Sequence, residues 1–115
     1  MTRVTGPKIT EAQFQDQLID LAHLLRWKVA HFRPAFTKRG WRTPVQADGK
    51  GFPDLVLVRE RIVWVELKAE GAKLSEEQEW WRDWLLEAGG EWYTWKPSDF
   101  DEAAEILRRK EDPND

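Results

Sequence analysis

The sequence has no cysteine among its 115 residues. This absence excludes a disulfide framework, a thiolate metal site and a cysteine nucleophile. No run approaches the roughly 18 to 20 apolar residues of a transmembrane helix, and residues 1–7 lack the apolar stretch of a signal peptide. We therefore expect a cytoplasmic protein.

Internal repeats and low-complexity segments are also missing. The length is that of one ordinary domain. With 41% hydrophobic and 34% charged residues, the composition is typical of a globular chain and not of a disordered one. We predict a single domain over residues 1–115, with a core of about 10–110 and short flexible termini.

An overall positive charge, which is common in nucleic-acid binders, is absent, because the net charge is −3. The charge is unevenly divided, however. Residues 1–50 carry nine Lys and Arg against four Asp and Glu, and residues 51–115 carry nine against seventeen. A basic surface opposite an acidic one would produce this pattern, and so would unevenly charged solvated helices.

Tryptophan, in contrast, is abundant, with eight in the chain. Because an indole has a large apolar area, we expect most of them in the core or at an interface. One or two could stack on bases. Three lie close together on one predicted helix: Trp80, Trp81 and Trp84.

Capping signals and the spacing of apolar residues predict three helices and four strands. The first two helices begin at capping boxes, one of Thr10 with Gln13 and one of Ser75 with Gln78. The helices are predicted over 11–26, from 75 to the glycines at 89–90, and from 97 to 109. The strands are predicted over 27–32, 54–58, 62–68 and 91–96. The order α-β-β-β-α-β-α indicates an α/β sandwich around a small mixed sheet, followed by a frayed tail over 111–115.

Residues 33–50 show no sustained periodicity and carry five Lys and Arg against one Asp. We predict a basic loop that binds DNA phosphates, which Arg and Lys neutralise without reading the sequence. A loop that is merely solvated is the alternative. Nothing resembles a base-reading helix, so we expect selection by DNA shape. The candidate DNA-binding residues are Lys38, Arg39, Trp41, Arg42 and Lys50.

The two central strands form a predicted hairpin that groups charged residues. If the hairpin is symmetric about Glu60, Asp54 faces Glu66, and Lys68 follows Glu66 on the same face. A two-residue turn would instead place the two carboxylates on opposite faces. The loop has no Gly or Asn to settle the turn type, so the register stays open.

Two opposed carboxylates repel each other unless they share a cation. Asp and Glu oxygens are usual ligands of Mg²⁺ and Mn²⁺. A metal held in this way activates water and neutralises the charge that develops on a phosphodiester during attack. Lys68 would orient that water or stabilise the developing charge. The alternative is that Asp54 only starts a strand and that Glu66 and Lys68 form a surface pair.

The site candidates Asp54, Glu66 and Lys68 lie within a longer pattern of residues that is similar to the motif of a known protein family. Gly51-Phe52-Pro53-Asp54-Leu55 is followed by Glu66-Leu67-Lys68 and then by Gln78, with Glu11 on a leading helix. The arrangement resembles the VRR-NUC branch of the PD-(D/E)XK nucleases, and the resemblance extends from Thr10 to Leu107. It implies a restriction-endonuclease-like fold, in which helices flank a central mixed sheet.

The resemblance also implies Mg²⁺- or Mn²⁺-dependent hydrolysis of DNA phosphodiester bonds. Stand-alone members of this size, which are common in phages, resemble Holliday-junction resolvases and usually act as homodimers. By position, Asp54, Glu66 and the Leu67 carbonyl would bind the metal, with Glu11 near it. Lys68 would be the catalytic lysine, and Gln78 would contact the site or the scissile strand.

Several of these side chains also have a structural explanation. Glu11 interacts with the helix dipole in any case, and Gln78 closes a capping box. Gln15 lies one turn beyond Glu11 on the same helix face and is either a DNA-binding residue or a solvated one. His31 either approaches the phosphate or only packs within its strand.

The leading hypothesis is a structure-selective DNA endonuclease that acts on Holliday junctions or other branched DNA. One alternative is a non-catalytic DNA-binding module that retains the nuclease fold. The intact carboxylates argue against it, because a module that only binds DNA gains nothing from placing them together. Another alternative is a protein-interaction domain that uses its Trp-rich helix as the partner surface.

Overall fold

The computed structural model describes residues 9–32, 35–37, 40–42 and 46–110, with side chains over 9–32 and 46–110. The helices are α1 (Glu11–Leu24), α2 (Glu76–Glu87) and α3 (Phe100–Arg108). The strands are β1 (Lys28–His31), β2 (Ala35–Thr37), β3 (Gly40–Arg42), β4 (Leu55–Val58), β5 (Ile62–Leu67) and β6 (Glu91–Trp95). A short 3-10 turn, Pro97–Asp99, precedes α3.

A four-stranded mixed sheet, in the order β1-β4-β5-β6, lies at the centre. Strand β4 is antiparallel to both β1 and β5, whereas β5 and β6 are parallel. Parallel neighbours need a long crossover, and α2 provides it. The predicted α/β fold, with a central mixed sheet flanked by helices, is confirmed.

The core lies between this sheet and the helices α1 and α3. Helix α1 buries Phe14, Leu18 and Ala22 at helical spacing, and these residues join the buried cluster of the sheet. Alternate residues of β4 and β5 face the same cluster, because strand side chains alternate between the two faces. These strand and helix α3 residues are Leu55, Leu57, Val63, Val65, Ala103, Ile106 and Leu107.

The predicted capping boxes at the starts of α1 and α2 are both present. In each box the serine or threonine hydroxyl accepts from the backbone N–H of the glutamine, and the glutamine side chain accepts from the backbone N–H of the cap residue. Helix α2 ends before Gly89, whose φ of +84° suits glycine. Within the described residues, no helix has the length and apolar character needed to cross a membrane.

The loop between β4 and β5 is fixed to the C-terminus of α3. Arg59 donates to the Leu107 carbonyl at 3.1 Å, and Arg61 donates to the Ile106 carbonyl at 2.8 Å. Both guanidinium groups also lie over the Trp27 ring, 4.4 and 5.0 Å from its centroid. Cations stabilise the carbonyl end of a helix and the face of an indole. These contacts hold the hairpin loop in place.

The structure corrects the prediction for residues 33–50. The sequence predicts a loop there, but β2 and β3 pair antiparallel as a separate two-stranded sheet. Each strand has three residues, which is too short for an alternating pattern to be recognised. Lys38 and Arg39 lie outside the described residues, as does the tail over 111–115.

Several element boundaries also differ from the predictions. Helix α1 ends at Leu24 and not at residue 26, because Arg26 has a φ of +71°, outside the helical region. Asp54 and Lys68 lie immediately outside β4 and β5. Pro97 begins a 3-10 turn, and α3 starts three residues later.

Among the described side chains, two tryptophans lie in the core, two on the surface, and Trp64, Trp81 and Trp92 are half-buried. Trp27 and Trp95 are buried, each 2% exposed. Trp80 and Trp84, which lie one turn apart on α2, are 47% and 58% exposed. Trp27 and Trp95 therefore lie in the core, as expected, whereas Trp80 and Trp84 form an aromatic patch on the surface of α2.

Candidate active site

The predicted site lies at the end of the β4–β5 hairpin opposite its loop. Val58 pairs with Ile62 and Val56 with Trp64, so the loop has an odd number of residues and is symmetric about Glu60. Continuing this register by one alternate pair places Asp54 opposite Glu66. The register that the sequence left open is therefore the one that brings the two carboxyl groups together.

Asp54 reaches across to β5 and bonds to both its backbone and a side chain. Its Oδ2 accepts a hydrogen bond from the backbone N–H of Leu67 at 2.8 Å. The Glu66 side chain also hydrogen-bonds to Asp54. Because Glu66 is only 3% exposed, the contact between the two carboxyl groups is largely shielded from water.

The pKa values of both carboxyl groups are raised, as expected of two carboxyl groups in contact. Burial, followed by the charge of Asp54 and its hydrogen bond, raises the pKa of Glu66 to about 9. Burial also raises the pKa of Asp54, but the hydrogen bonds from Leu67 and Glu66 and the positive charge of Lys68 oppose that rise. The pKa of Glu66, at about 9, means that its carboxyl group keeps a proton at neutral pH and donates it to Asp54.

Gln78 contacts Glu66 from the other side. Its Nε2 donates to Glu66 Oε1 at 2.7 Å. The same side chain closes the capping box of α2, since its Oε1 accepts from the backbone N–H of Ser75 at 2.8 Å. The two explanations that the sequence allowed for Gln78 therefore hold simultaneously: it caps a helix and contacts a predicted site residue.

A close approach of two backbone segments brings the start of α2 to this position. Gly51 has a φ of +84°, and a Cβ there would lie 2.6 Å from the Glu77 carbonyl carbon and 2.8 Å from the Gln78 backbone nitrogen. Phe52 packs edge-to-face on Trp81, with centroids 5.0 Å apart. Only glycine permits this approach of the segment that carries Asp54.

Glu11 and Lys68 complete the charged group. The pKa of Glu11 is raised, first by partial burial of its carboxyl group and then by Asp54, whereas Lys68 lowers it. The positive charge of Lys68 also favours the ionised forms of Asp54 and Glu66. Although Glu11 is an exposed first-turn residue of α1, it therefore belongs electrostatically to the predicted site.

Gln15 and His31 form a hydrogen-bonded pair beside this group. The Gln15 Nε2 lies 3.2 Å from the His31 Nδ1 and is also within hydrogen-bonding distance of its Nε2. The charge of His31 lowers the pKa of Asp54. The sequence left the role of His31 open. His31 pairs with Leu55 on β4, and Leu55 follows Asp54. The register of β1 on β4 is therefore the signal that places His31 near Asp54.

The basic DNA-binding candidates are only partly described. Lys50 is exposed and forms an ion pair with Glu77, with 3.2 Å between Nζ and Oε1. Trp41 and Arg42 lie on β3, and their side chains are outside the described part of the chain. The structure therefore places Lys50 beside α2 and leaves the grouping of the basic residues as a prediction.

The carboxyl pair has the chemistry of a magnesium ligand set. Mg²⁺ in proteins is usually held by one or two carboxylates together with waters and substrate phosphates. Asp54 and Glu66 supply two carboxylates, and the Leu67 carbonyl lies on the same strand as Glu66. Among the side chains over 9–32 and 46–110, no group of three or more His, Cys, Asp or Glu converges as a ready metal site. The two carboxylates of Asp54 and Glu66 fit Mg²⁺ that keeps waters or substrate phosphates as its other ligands.

Comparison with family models gives one match. The VRR-NUC domain model matches residues 10–96, which include α1, the sheet and the predicted site. Comparisons with curated proteins and with solved structures gave no match. The match covers well over half of the chain. The chain belongs to the VRR-NUC domain family, a family of nuclease domains that cleave DNA.

Proposed function

We propose that this chain is a divalent-metal-dependent DNA endonuclease of the PD-(D/E)XK type, with its catalytic centre at Asp54, Glu66 and Lys68. The main support is the opposition of Asp54, which is half-buried, and Glu66, which is buried, with their carboxyl groups in contact. Two carboxyl groups in contact are unfavourable as a structural element unless a positive charge joins them. A proton supplies this charge in the metal-free protein, and a divalent cation would supply it when bound.

Asp54, Glu66 and the Leu67 carbonyl would hold Mg²⁺ or Mn²⁺, and Glu11 would interact with it directly or through water. When bound, such an ion lowers the pKa of a coordinated water and neutralises charge on the phosphate. Asp54 and Glu66 would hold the ion as carboxylates, so the proton on Glu66 would pass to solvent. The Leu67 N–H keeps Asp54 in place during this exchange, and Gln78 does the same for Glu66.

Lys68 has the role of the catalytic lysine in this proposal. Its ammonium group lies within electrostatic range of Glu11, Asp54 and Glu66. From there it would orient the attacking water and stabilise the charge that develops on the phosphoryl oxygens. The water would lose a proton to solvent and form the new P–O bond as the bond to the sugar oxygen breaks, and the leaving sugar oxygen would take up a proton from solvent.

The preferred substrate in this proposal is branched DNA, such as a Holliday junction. Lys38, Arg39, Arg42 and Lys50 would neutralise phosphates, and Trp41 would add a stacking surface. The ion pair of Lys50 with Glu77 is exposed, and exposed ion pairs are weak, so a phosphate can replace Glu77. Gln15, one turn from Glu11, would contact the backbone near the cleavage site. Phosphate contacts of this kind select shape and not sequence.

We also propose that the active form is a homodimer. A four-way junction offers two equivalent strands, and their symmetric cleavage requires two active sites related by a two-fold axis. The exposed patch of Trp80 and Trp84 provides aromatic area of the kind enriched in interfaces. This patch is the proposed contact between the two copies.

The proposal is tested by cleavage of a four-way junction, a flap and a linear duplex with Mg²⁺, with Mn²⁺ and with a chelator. We expect nicking only with metal, with paired symmetric nicks on the junction. Glu66→Gln and Lys68→Ala should each lower the cleavage rate by about 100-fold or more, because each removes charge needed in the transition state. Lys73→Ala, which removes an exposed lysine five residues further on, should cleave normally.

Circular dichroism and thermal unfolding should show that all three variants are folded. Full cleavage by both Glu66→Gln and Lys68→Ala would exclude these residues as the catalytic centre. Cleavage that continues in the chelator would exclude the metal. Equal rates on all three DNA forms would contradict the preference for branched substrates.

A further inference from the structure

We propose that Ser75 is a positioning residue for the metal-binding carboxylates, because the capping box that it forms also fixes the Gln78 amide on Glu66. The inference rests on the proposed function and extends it to a residue at the N-terminus of α2. Ser75 is exposed, and its position in the sequence suggests only a helix cap. Ser75 acts on the site through the side chain of Gln78.

The Gln78 side chain is held at both ends of its amide. Its Oε1 accepts from the Ser75 backbone N–H at 2.8 Å, and its Nε2 donates to Glu66 Oε1 at 2.7 Å. The Ser75 hydroxyl also fixes the backbone of Gln78, because it accepts a hydrogen bond from the Gln78 backbone N–H at 3.2 Å. An amide has one acceptor end and one donor end. Rotation of the amide by half a turn would therefore break both side-chain contacts.

This arrangement determines the orientation of a buried carboxyl group. Glu66 receives the Gln78 amide on Oε1 and also hydrogen-bonds to Asp54. These two hydrogen bonds fix the orientation of the Glu66 carboxyl group in the metal-free protein. Hydrogen-bond partners of metal ligands orient them in this way, and their loss typically costs about 10- to 100-fold in metal affinity or activity.

The first capping box shows that this arrangement is more than helix capping. Thr10 and Gln13 make the same two contacts, at 2.8 and 3.0 Å, but Gln13 is exposed. Either glutamate or glutamine closes a capping box, because only an acceptor is needed. At residue 78 the side chain must also donate, and glutamate cannot do so. The two boxes therefore provide a matched comparison within one chain.

The first experiment makes the same substitution in both boxes. Gln78→Glu keeps the acceptor for Ser75 but loses the donor to Glu66, and Gln13→Glu is its control. We expect Gln78→Glu to weaken Mn²⁺ binding, measured by titration calorimetry, by about 10- to 100-fold. Its thermal midpoint in the metal-free protein should fall, because a third carboxyl group then faces Glu66, so binding is measured at a temperature where the variant is folded. Gln13→Glu should bind Mn²⁺ as the unchanged protein does.

The second experiment tests Ser75 itself. Ser75→Ala loses the hydroxyl that fixes Gln78, and Ser75→Thr retains it. We expect Ser75→Ala to weaken Mn²⁺ binding by about tenfold, and Ser75→Thr to restore it. In the metal-free protein, NMR should show faster exchange of the Gln78 side-chain amide protons with solvent in Ser75→Ala than in Ser75→Thr.

The possible outcomes separate the two proposals. If the unchanged protein binds Mn²⁺ and Ser75→Ala binds it equally well with unchanged amide exchange, the role of Ser75 is wrong and the nuclease proposal stands. If Gln78→Glu binds Mn²⁺ as tightly as the unchanged protein or more tightly, the donor to Glu66 is not needed. If the unchanged protein binds no divalent metal, the metal-dependent function itself fails.

Discussion

At the level of single residues, the carboxyl group of Glu66 is buried against a second carboxyl group. Glu66 is 3% exposed and lies against Asp54, and these surroundings raise its pKa to about 9. An isolated buried charge is strongly unfavourable, so the metal-free pair keeps a proton. The folded protein therefore binds this proton more tightly than the unfolded chain does, and its stability depends on pH.

The sign of that dependence follows from the raised pKa. An unfolded glutamate titrates near 4.5, so the stabilising contribution is complete below that pH and is lost as the pH rises toward 9. We expect the free energy of unfolding of the metal-free protein to fall with rising pH relative to that of Glu66→Gln. The difference should change by up to about 1.4 kcal/mol per pH unit. Urea unfolding between pH 5 and 8.5 in a chelator measures it.

Glu66→Gln is the matched comparison because glutamine resembles the protonated acid in shape and cannot ionise. Asp54 also has a raised pKa, so its contribution has the same sign and remains in both proteins. Parallel stability curves for the two proteins would show that Glu66 is ionised in the folded state. Saturating Mg²⁺ should reverse the trend, because the metal binds the ionised pair in preference to the protonated one.

At the level of elements, the site requires α2 to lie against the segment that precedes β4. Gly51 provides that approach, since a side chain there would overlap the backbone of Glu77 and Gln78. Trp81 reinforces it by donating to the Asp48 carbonyl at 3.1 Å. The contact joins the two segments that carry Asp54 and Gln78.

Gly51→Ala should therefore destabilise the protein by more than the positive φ of residue 51 alone would cost, because its Cβ would also displace α2. Gly71→Ala is the control, because Gly71 has a similar φ of +79° and open space around its Cβ position. We expect Gly71→Ala to cost about 1–2 kcal/mol for the positive φ alone. Gly51→Ala should cost about 1–3 kcal/mol more, because the backbone of α2 must move.

Urea unfolding measures both costs, and cleavage of a junction measures the effect on the site. Activity should fall in Gly51→Ala under conditions in which the protein is fully folded, whereas Gly71→Ala should stay active. Equal destabilisation of the two variants would mean that the approach of α2 is not tight.

At the level of the whole molecule, the basic segment and the exposed aromatic patch lie in different parts of the chain, and Lys50 is a basic residue that reaches α2. Positive charge is concentrated in residues 1–50, whereas α2 carries five acidic residues and one arginine around Trp80 and Trp84. An acidic helix is a poor surface for the DNA backbone. This charge pattern agrees with the proposals that the aromatic patch joins two copies of the chain and that the basic segment binds DNA.

The homodimer is tested by light scattering coupled to gel filtration. We expect the mass of two chains for the unchanged protein and of one chain for Trp84→Ala, which removes the most exposed indole of the patch. Leu86→Ala is the control, since Leu86 is 50% exposed on another face of α2. Trp84→Ala should also cleave junctions singly and not in symmetric pairs. A two-chain mass for Trp84→Ala would place the interface elsewhere.

Local sequence patterns were sufficient to predict most elements. The capping boxes predicted the starts of α1 and α2, because these signals act over three or four residues. The same reasoning missed β2 and β3, whose three-residue pairing has no periodic signal. It also could not choose the hairpin register, since Arg59-Glu60-Arg61 has no residue that dictates a turn type.

The sequence by itself thus determined the fold class, the family and the residue types at the site. Asp54, Glu66 and Lys68 were predicted because their types and spacing suit metal chemistry on one strand face. Tertiary structure decided how these residues meet. The contacts of Arg59 and Arg61 with Trp27 and α3 hold the odd loop, and Gly51 admits the start of α2. Such contacts join residues far apart in the chain, and no local pattern encodes them.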